Sequence, residues 1–200
     1  RENLETHRNS PATGWGAAFS PTDLRVSQKL TSAVLDAFGN ISILRSGSDV
    51  ENGVLPVGGL WQPWVRIDTA GSAVSARAKL ALSSNGAAIA IWRESNPGDS
   101  NYSMKAAKFS PSNGWGAPES LETLFTNVSD ADPNLVMDDQ GNGIAMWQQD
   151  VGSNPAIHYN IHRAGLGWQG EVVLNSEAQT LASARTQLSM TPDGRAVATW

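Results

Sequence analysis

The chain of 200 residues contains no cysteine, which excludes disulfide bonds, thiolate nucleophiles and cysteine-ligated zinc or iron–sulfur sites. Charged residues are also scarce, at 16% of the chain against roughly 25% in an average soluble domain. No stretch approaches the roughly 18 apolar residues of a membrane-spanning helix, so we expect no membrane insertion. The 14 basic and 19 acidic residues form no block of one sign. Nucleic-acid binding is therefore disfavoured, because it needs a clustered basic face.

The chain does contain an internal repeat with fixed spacing. An apolar stretch leads to a turn that ends in glycine. A second stretch then alternates large and small residues and ends six positions after that glycine, in tryptophan in three copies and in arginine in one. The four glycines are Gly39, Gly86, Gly141 and Gly194, and the residues six positions later are Arg45, Trp92, Trp147 and Trp200. A Gly-Trp pair recurs between the copies, at Gly14, Gly114 and Gly167. Four copies with the same internal spacing indicate structural repeats of about 50 residues.

Each copy predicts four short strands separated by turn residues, since glycine supplies the positive φ that a tight hairpin needs. In the second copy the strands are expected at about residues 77–82, 88–92, 102–109 and 117–121. We predict an all-β β-propeller of four four-stranded repeats, either a closed four-bladed ring or part of a larger propeller. It would form a single domain over 1–200, with repeats at about 25–74, 75–127, 128–180, and 181–200 completed by 1–24. A β-sandwich is the alternative, but it does not require the constant interval from glycine to tryptophan.

The unit Gly-x-x-[Ile/Val]-Ala-x-Trp, followed by Gly-Trp-Gly, resembles the propeller repeats of bacterial exported and surface proteins, which are loosely grouped with sialidase-like propellers. The resemblance covers essentially the whole chain. It implies a propeller fold and a bacterial protein that is secreted, periplasmic or at the cell surface. The Asp-box of sialidases places its glycine three residues before its tryptophan, whereas the interval here is six, so the resemblance implies a fold rather than an activity.

The eight tryptophans are the most prominent candidate binding residues. Those that end a second strand are expected to fill the space between sheets. Trp61 and Trp64 depart from the repeat and flank a proline, so we predict that they form an exposed platform for the C–H face of a sugar ring. Packing between sheets is the alternative for them as well.

Two arginines occupy matching positions at the start of the innermost strands. They are Arg77 and Arg185, and Asp132 lies at the same position in the repeat between them. Arginine binds carboxylates in a bidentate manner, so these residues could hold an acidic ligand at the mouth of a central channel. The alternative is an ion-pair network that ties neighbouring repeats together.

The sequence contains no nucleophile elbow and no His-Glu-x-x-His pair, and we predict no catalytic residue, cofactor or metal. Only Tyr102 and Tyr159 could act as the nucleophile of a sialidase. The segment from Asp138 to Gly143 is similar to a calcium loop but has Gln149 at the twelfth position, and we interpret it as a hairpin turn.

These observations favour a non-catalytic recognition module of an exported or surface protein, with a glycan or a protein as its ligand. The alternatives are a structural repeat segment of a larger surface protein and a sialidase-like glycoside hydrolase or lyase. A homodimer joined through the open ends of two repeat arrays is a further expectation.

Overall fold

The computed structural model describes residues 7, 9–10, 12, 14–16, 29–72, 77–95, 101–123, 128, 132–151, 154–174 and 186–200. All regular secondary structure in these ranges is β-strand, which confirms the predicted all-β class. The strands are β1 (Asn9–Ser10), β2 (Gly14–Trp15), β3 (Lys29–Leu35), β4 (Ile41–Ser46), β5 (Val50–Leu55), β6 (Val65–Arg66), β7 (Lys79–Leu82), β8 (Ala88–Ser95), β9 (Tyr102–Ser110), β10 (Gly114–Trp115), β11 (Glu119–Ser120), β12 (Asn134–Met137), β13 (Gly143–Val151), β14 (Asn154–Arg163), β15 (Gly167–Val173), β16 (Gln187–Met190) and β17 (Ala196–Thr199). Within the described ranges there is no helix with the length and apolar character needed to cross a membrane.

Three antiparallel sheets contain most of these strands. Sheet 1 has the order β3-β4-β5-β6 and sheet 3 has the order β12-β13-β14-β15. Sheet 2 has the order β7-β8-β9-β10, and β11 also pairs with β9. The fourth strand that the sequence predicts at about 117–121 is thus split into two short strands, both of which pair with β9.

The repeated glycines form the same turn in all four copies. Each has a positive φ between 83° and 89°, and the four are Gly39, Gly86, Gly141 and Gly194. In every copy the N–H of the glycine donates to the carbonyl three residues earlier, for example from Gly141 to Asp138 at 3.2 Å. The fixed spacing in the sequence therefore reflects one turn conformation that only glycine adopts without strain.

The three sheets pack face to face in chain order. Ala90 and Trp92 of sheet 2 are buried against Leu44 and Val50 of sheet 1. The opposite face of β8, with Ile89 and Ile91, is buried in a second cluster that includes sheet 3. The first strands of consecutive sheets lie side by side, with β3 next to β7, β7 next to β12 and β12 next to β16. This arrangement accounts for the mixture of small and large apolar residues on both faces of the second strands.

The tryptophans six residues after the turn glycines have different environments. Strands β8 and β13 continue for three and four residues beyond Trp92 and Trp147, so these two tryptophans do not end their strands as the sequence predicts. Trp92 and Trp147 are completely buried, and their indole N–H groups donate to Glu94 and Gln149, each at 2.8 Å. The equivalent Trp200 is 51% exposed. The expectation of a buried position is therefore confirmed for two of the three tryptophans.

The fourth repeat is described as two separate hairpins. One is β16–β17 and the other is β1–β2, where Asn9 pairs with Trp15 and Ser10 with Gly14. This register matches that of the outer hairpin of sheet 2, where Ser110 pairs with Gly114. Within the described ranges no pairing joins β17 to β1, and no closed ring is detected.

We predict that Gly141→Ala lowers the free energy of unfolding by about 1–2 kcal/mol, because alanine is strained at a φ of 89°. A methyl group there would meet Ala164 at 3.7 Å, an ordinary contact, so the cost is conformational. Gly116→Ala is the control: its methyl group would lie 3.5 Å from the Lys108 carbonyl oxygen, and its φ is not positive. Urea unfolding of both variants measures the effect, and equal losses would contradict the explanation.

Candidate functional site

The structure brings Trp61 and Trp64 together on one face of sheet 1. Their rings are stacked, with centroids 6.3 Å apart and planes inclined by 11°. Both are partly buried against Ile43 and neighbouring core residues of that sheet. A side chain at Gly53 would clash with Trp64, since a Cβ there would lie 2.7 Å from the ring. Packing thus accounts for much of both rings, and only their edges and outer faces remain for a ligand.

Arg45 replaces the repeat tryptophan in sheet 1 and explains the position of Trp64. Its Nε donates to Glu51 Oε2 at 2.8 Å, and its Cζ lies 3.8 Å from the centroid of Trp64. Arg45 is fully buried and Glu51 is nearly so. The cation therefore has a carboxylate partner and an aromatic ring, as a buried charge requires.

A patch of exposed apolar side chains lies at the turn end of sheet 1. Phe38 is 73% exposed, Leu60 is 87% exposed and Val57 is also exposed. The two turns that carry them are adjacent, because the Val57 N–H donates to Asn40 Oδ1 at 2.9 Å. We call these three residues the apolar patch; Leu60 connects it in sequence to Trp61.

The predicted arginine group is described only in part. Arg77 Nη1 lies 3.4 Å from Asp132 Oδ1, and both side chains are substantially exposed. This ion pair joins the segments that lead into β7 and β12, as the network interpretation expects. Arg185 lies outside the described residues. The ion pair lies between sheets 2 and 3 and the two tryptophans lie on sheet 1, so the structure does not bring these four described residues into one site.

A cleft of about 180 Å³ lies between sheets 2 and 3, at the end where the glycine turns are found. Lys108 and His162 contribute its polar groups together with Gln140, and Ile89 and Met137 contribute to its apolar wall. The His162 ring stands edge-on to Trp168, with centroids 5.3 Å apart. No motif in the sequence marks this cleft; the strand register shows that His162 and Lys108 stand at positions that are apolar in the other copies.

Buried titratable groups connect sheets 2 and 3 on another side. His158 Nδ1 lies 2.6 Å from Glu171 Oε1, and Glu171 Oε2 accepts the Thr123 N–H at 2.8 Å. Burial lowers the pKa of His158, although the carboxylate of Glu171 opposes that shift. Burial also raises the pKa of Glu122 to about 7, while hydrogen bonds from Ser103 and Met104 act in the opposite direction.

Two other candidates from the sequence have clear structural surroundings. Asp138 Oδ1 accepts the backbone N–H groups of Gln140 and Asn142, so this carboxylate closes the hairpin turn. The ring of Tyr102 lies under the guanidinium group of Arg93, with 3.8 Å from Cζ to the centroid. No group of three or more acidic or histidine side chains is placed to hold a metal ion in the part of the chain that the structure describes.

Comparison with known proteins identifies no family. No family model matches the sequence, and no curated protein is similar to it. Among solved structures, a variant of AofleA from Arthrobotrys oligospora, with three arginines replaced by alanine, shares 12% identity and gives a TM-score of 0.33. The alignment covers 98% of this chain and 68% of the other. A likeness of this size carries no argument about function, and the resemblance to bacterial sialidase-like propellers stays a prediction.

We predict that the stability of the protein depends on pH through Glu122. The folded protein holds this proton more tightly than the unfolded chain, so its stabilising contribution is complete below pH 4.5 and is lost as the pH rises through about 7. Glu122→Gln keeps an oxygen for the Met104 N–H and carries no charge. Relative to wild type, its free energy of unfolding should therefore rise between pH 4.5 and pH 8, by at most about 3 kcal/mol. Urea unfolding at several pH values measures the difference, and a difference that is independent of pH would contradict the assignment.

Proposed function

We propose that this protein is a non-catalytic recognition module of an exported or cell-surface protein and that its ligand is a glycan. The observation that carries the proposal is the apolar patch of Phe38, Val57 and Leu60, which is exposed at the turn end of sheet 1. Clustered exposed apolar side chains in a soluble protein mark interaction surfaces. The exported or surface location rests on the sequence resemblance alone.

The aromatic composition of this region favours a sugar. The C–H face of a pyranose ring is apolar and packs on a flat aromatic ring, and Phe38 offers such a ring to solvent. The N–H of Trp61 is buried and has no hydrogen-bond partner among the described residues. Trp61 would therefore contact a ligand through its ring alone.

A protein ligand is the second candidate. Val57 and Leu60 are aliphatic and exposed on a turn, and side chains of this kind suit the apolar centre of a protein interface. The two candidates share the same residues, so the probe used in the experiment decides between them.

A binding role is favoured over sialidase-like catalysis by the surroundings of the titratable groups. No carboxylate lines the cleft between sheets 2 and 3. Tyr102, one of the two tyrosines considered as a nucleophile, packs its ring against Arg93. Retaining glycosidases need a nucleophile and an acid that converge on the substrate, and the described residues offer no such pair in the cleft.

We further propose that the repeats close into a four-bladed propeller within one chain. Leu30 and Leu35 are exposed on the face of sheet 1 that also carries Trp64, where no neighbouring sheet is described. Val197 of β17 is exposed as well, whereas Ile89, at the same repeat position, is buried against the next sheet. Packing β16–β17 and β1–β2 as one sheet against sheet 1 would cover these side chains together with the outer face of Trp64, and the apolar patch at the turn end of sheet 1 would then be the ligand site.

We predict that Leu60→Ser and Phe38→Ser abolish glycan binding without unfolding the protein, since both side chains are exposed. Leu166→Ser is the matched control, because Leu166 is 75% exposed in the corresponding turn of sheet 3. Retention on a glycan array, followed by calorimetry with the glycan that is retained, is the measurement. Binding that survives both patch substitutions would refute the site. Retention of no glycan by the wild-type protein would refute the ligand class and favour a protein ligand or a structural role.

Ring closure predicts a specific strand pairing. Because the chain contains no cysteine, a pair of introduced cysteines can test it. In sheets 2 and 3 the residue two positions after the turn glycine pairs with the third strand, as Ala88 does with Phe109. The equivalent pair in the fourth repeat is Ala196 and Asn9, whose Cα atoms would lie within the range of a disulfide. The double variant Asn9→Cys/Ala196→Cys should therefore form an intramolecular disulfide on mild oxidation, and Asn9→Cys/Leu166→Cys should not.

Non-reducing gel electrophoresis distinguishes the outcomes. A bond between two chains would contradict closure within one chain and support the expected homodimer through open ends. The absence of any bond in the Asn9→Cys/Ala196→Cys variant would contradict both arrangements.

A further inference from the structure

The cleft between sheets 2 and 3 carries polar residues where the repeat has apolar ones. His162 lies opposite Gly143 in the β13–β14 register, and the equivalent positions of sheets 1 and 2 hold Leu55 and Phe109. Lys108 lies opposite Ile89, and its equivalents in sheets 1 and 3 are Val54 and Ile161. Each polar residue thus replaces an apolar one at a single copy, and both line the same cleft.

The equivalent space between sheets 1 and 2 is filled with apolar side chains. Phe109 packs against the core cluster that joins these sheets, and its ring stands against Trp115 with centroids 5.5 Å apart. His162 makes the same ring-to-ring contact with Trp168 at 5.3 Å. The histidine therefore keeps the shape of the aromatic residue and adds nitrogen atoms at the edge of the cleft.

The hydrogen bond that His162 makes shows which of its two ring nitrogens can accept a hydrogen bond from a ligand. Nδ1 lies 3.1 Å from the Gly141 carbonyl oxygen, which can only accept, so Nδ1 carries the hydrogen. Burial lowers the pKa of His162, the charge of Lys108 lowers it further, and the Gly141 hydrogen bond and Glu119 oppose the shift. The ring is therefore neutral at pH 7, and Nε2 presents a lone pair.

The ammonium group of Lys108 can donate hydrogen bonds to a ligand, and a carboxylate beside it balances its charge. Its Nζ lies 2.7 Å from Glu119 Oε1, so the ammonium group already has a carboxylate partner and keeps further hydrogens for a ligand. An anionic ligand would have to compete with Glu119 for this cation. The cleft combines one acceptor, one charge-balanced donor, side-chain amides from Asn85 and Gln140, and an apolar wall.

We propose that this cleft is a second binding site, separate from the apolar patch, for one uncharged sugar ring or a polyol of similar size. Neighbouring hydroxyl groups both donate and accept, so they match His162 Nε2 and Lys108 Nζ, and the C–H face of the ring would lie against Ile89 and Met137. At about 180 Å³ the cleft is smaller than the pockets of drug-sized ligands, which restricts it to a single ring.

Imidazole nitrogen resonances test the proposal directly, because the chain has three histidines. The protein is titrated separately with glucose, galactose, mannose, fucose and N-acetylglucosamine while the nitrogen shifts are followed by NMR. At least one sugar should shift Nε2 of His162 and leave His158 and His7 unchanged. If none of the five sugars shifts His162, the proposal is overturned.

The repeat itself supplies the matched variants. His162→Phe and Lys108→Ile install residues that other copies already have at these positions, so the fold is retained. Each should weaken binding of the same sugar about tenfold, from the loss of a hydrogen bond, as measured by calorimetry. Unchanged affinity in both variants would overturn the site.

Leu60→Ser separates this site from the one under proposed function. The variant should bind the monosaccharide with wild-type affinity even if it loses a larger glycan at the apolar patch. A loss of monosaccharide binding in Leu60→Ser, with none in His162→Phe, would place the ligand at the patch and overturn the assignment to the cleft.

Discussion

The burial of strand β8 on both faces is the constraint on which the rest of the structure depends. Its even-numbered side chains, such as Ala90 and Trp92, pack on sheet 1, and its odd-numbered ones, such as Ile89 and Ile91, pack on the cluster shared with sheet 3. Alanine at alternate positions lets the sheets approach closely, and the indoles of Trp92 and Trp147 fill the remaining space in sheets 2 and 3. The cleft, the ion pair between β7 and β12 and the buried acid–histidine group all lie where two such sheets meet.

The sequence predicted the all-β class and the repeated sheets because the repeat marks its structural constraints. A glycine at positive φ fixes the turn, and the tryptophan six residues later marks a buried position within the second strand of sheets 2 and 3. The first three strands of sheet 2 lie within a few residues of their predicted bounds. The fourth strand was less predictable, since residues 114–120 pair in two short pieces. Ring closure depends on pairing between distant segments, about which a local pattern contains no information.

The candidate sites were harder to predict for a physical reason. Trp61 and Trp64 were selected because they depart from the repeat, but the structure places Trp64 against the guanidinium group of Arg45, which itself stands where other copies have a tryptophan. His162 and Lys108 were not selected, because a lone histidine or lysine has no significance until the register places both in one cleft. A difference between copies becomes informative only when the positions being compared are known to be equivalent.

Within each of sheets 1 to 3, the strands pair with strands that are close to them in the sequence. This has a consequence for how the chain folds. Each of sheets 1 to 3 is a series of hairpins between consecutive strands, so each forms through contacts that are close in sequence. Loop-closure entropy is small for such contacts, and sheets of this kind form quickly and can begin at more than one place in the chain. Joining β1–β2 to β16–β17 would instead require two hairpins to meet that are separated in the sequence by all three sheets. The slowest step in folding would then be the completion of the last sheet, and the apolar side chains on either side of it would be open to aggregation until that step is complete.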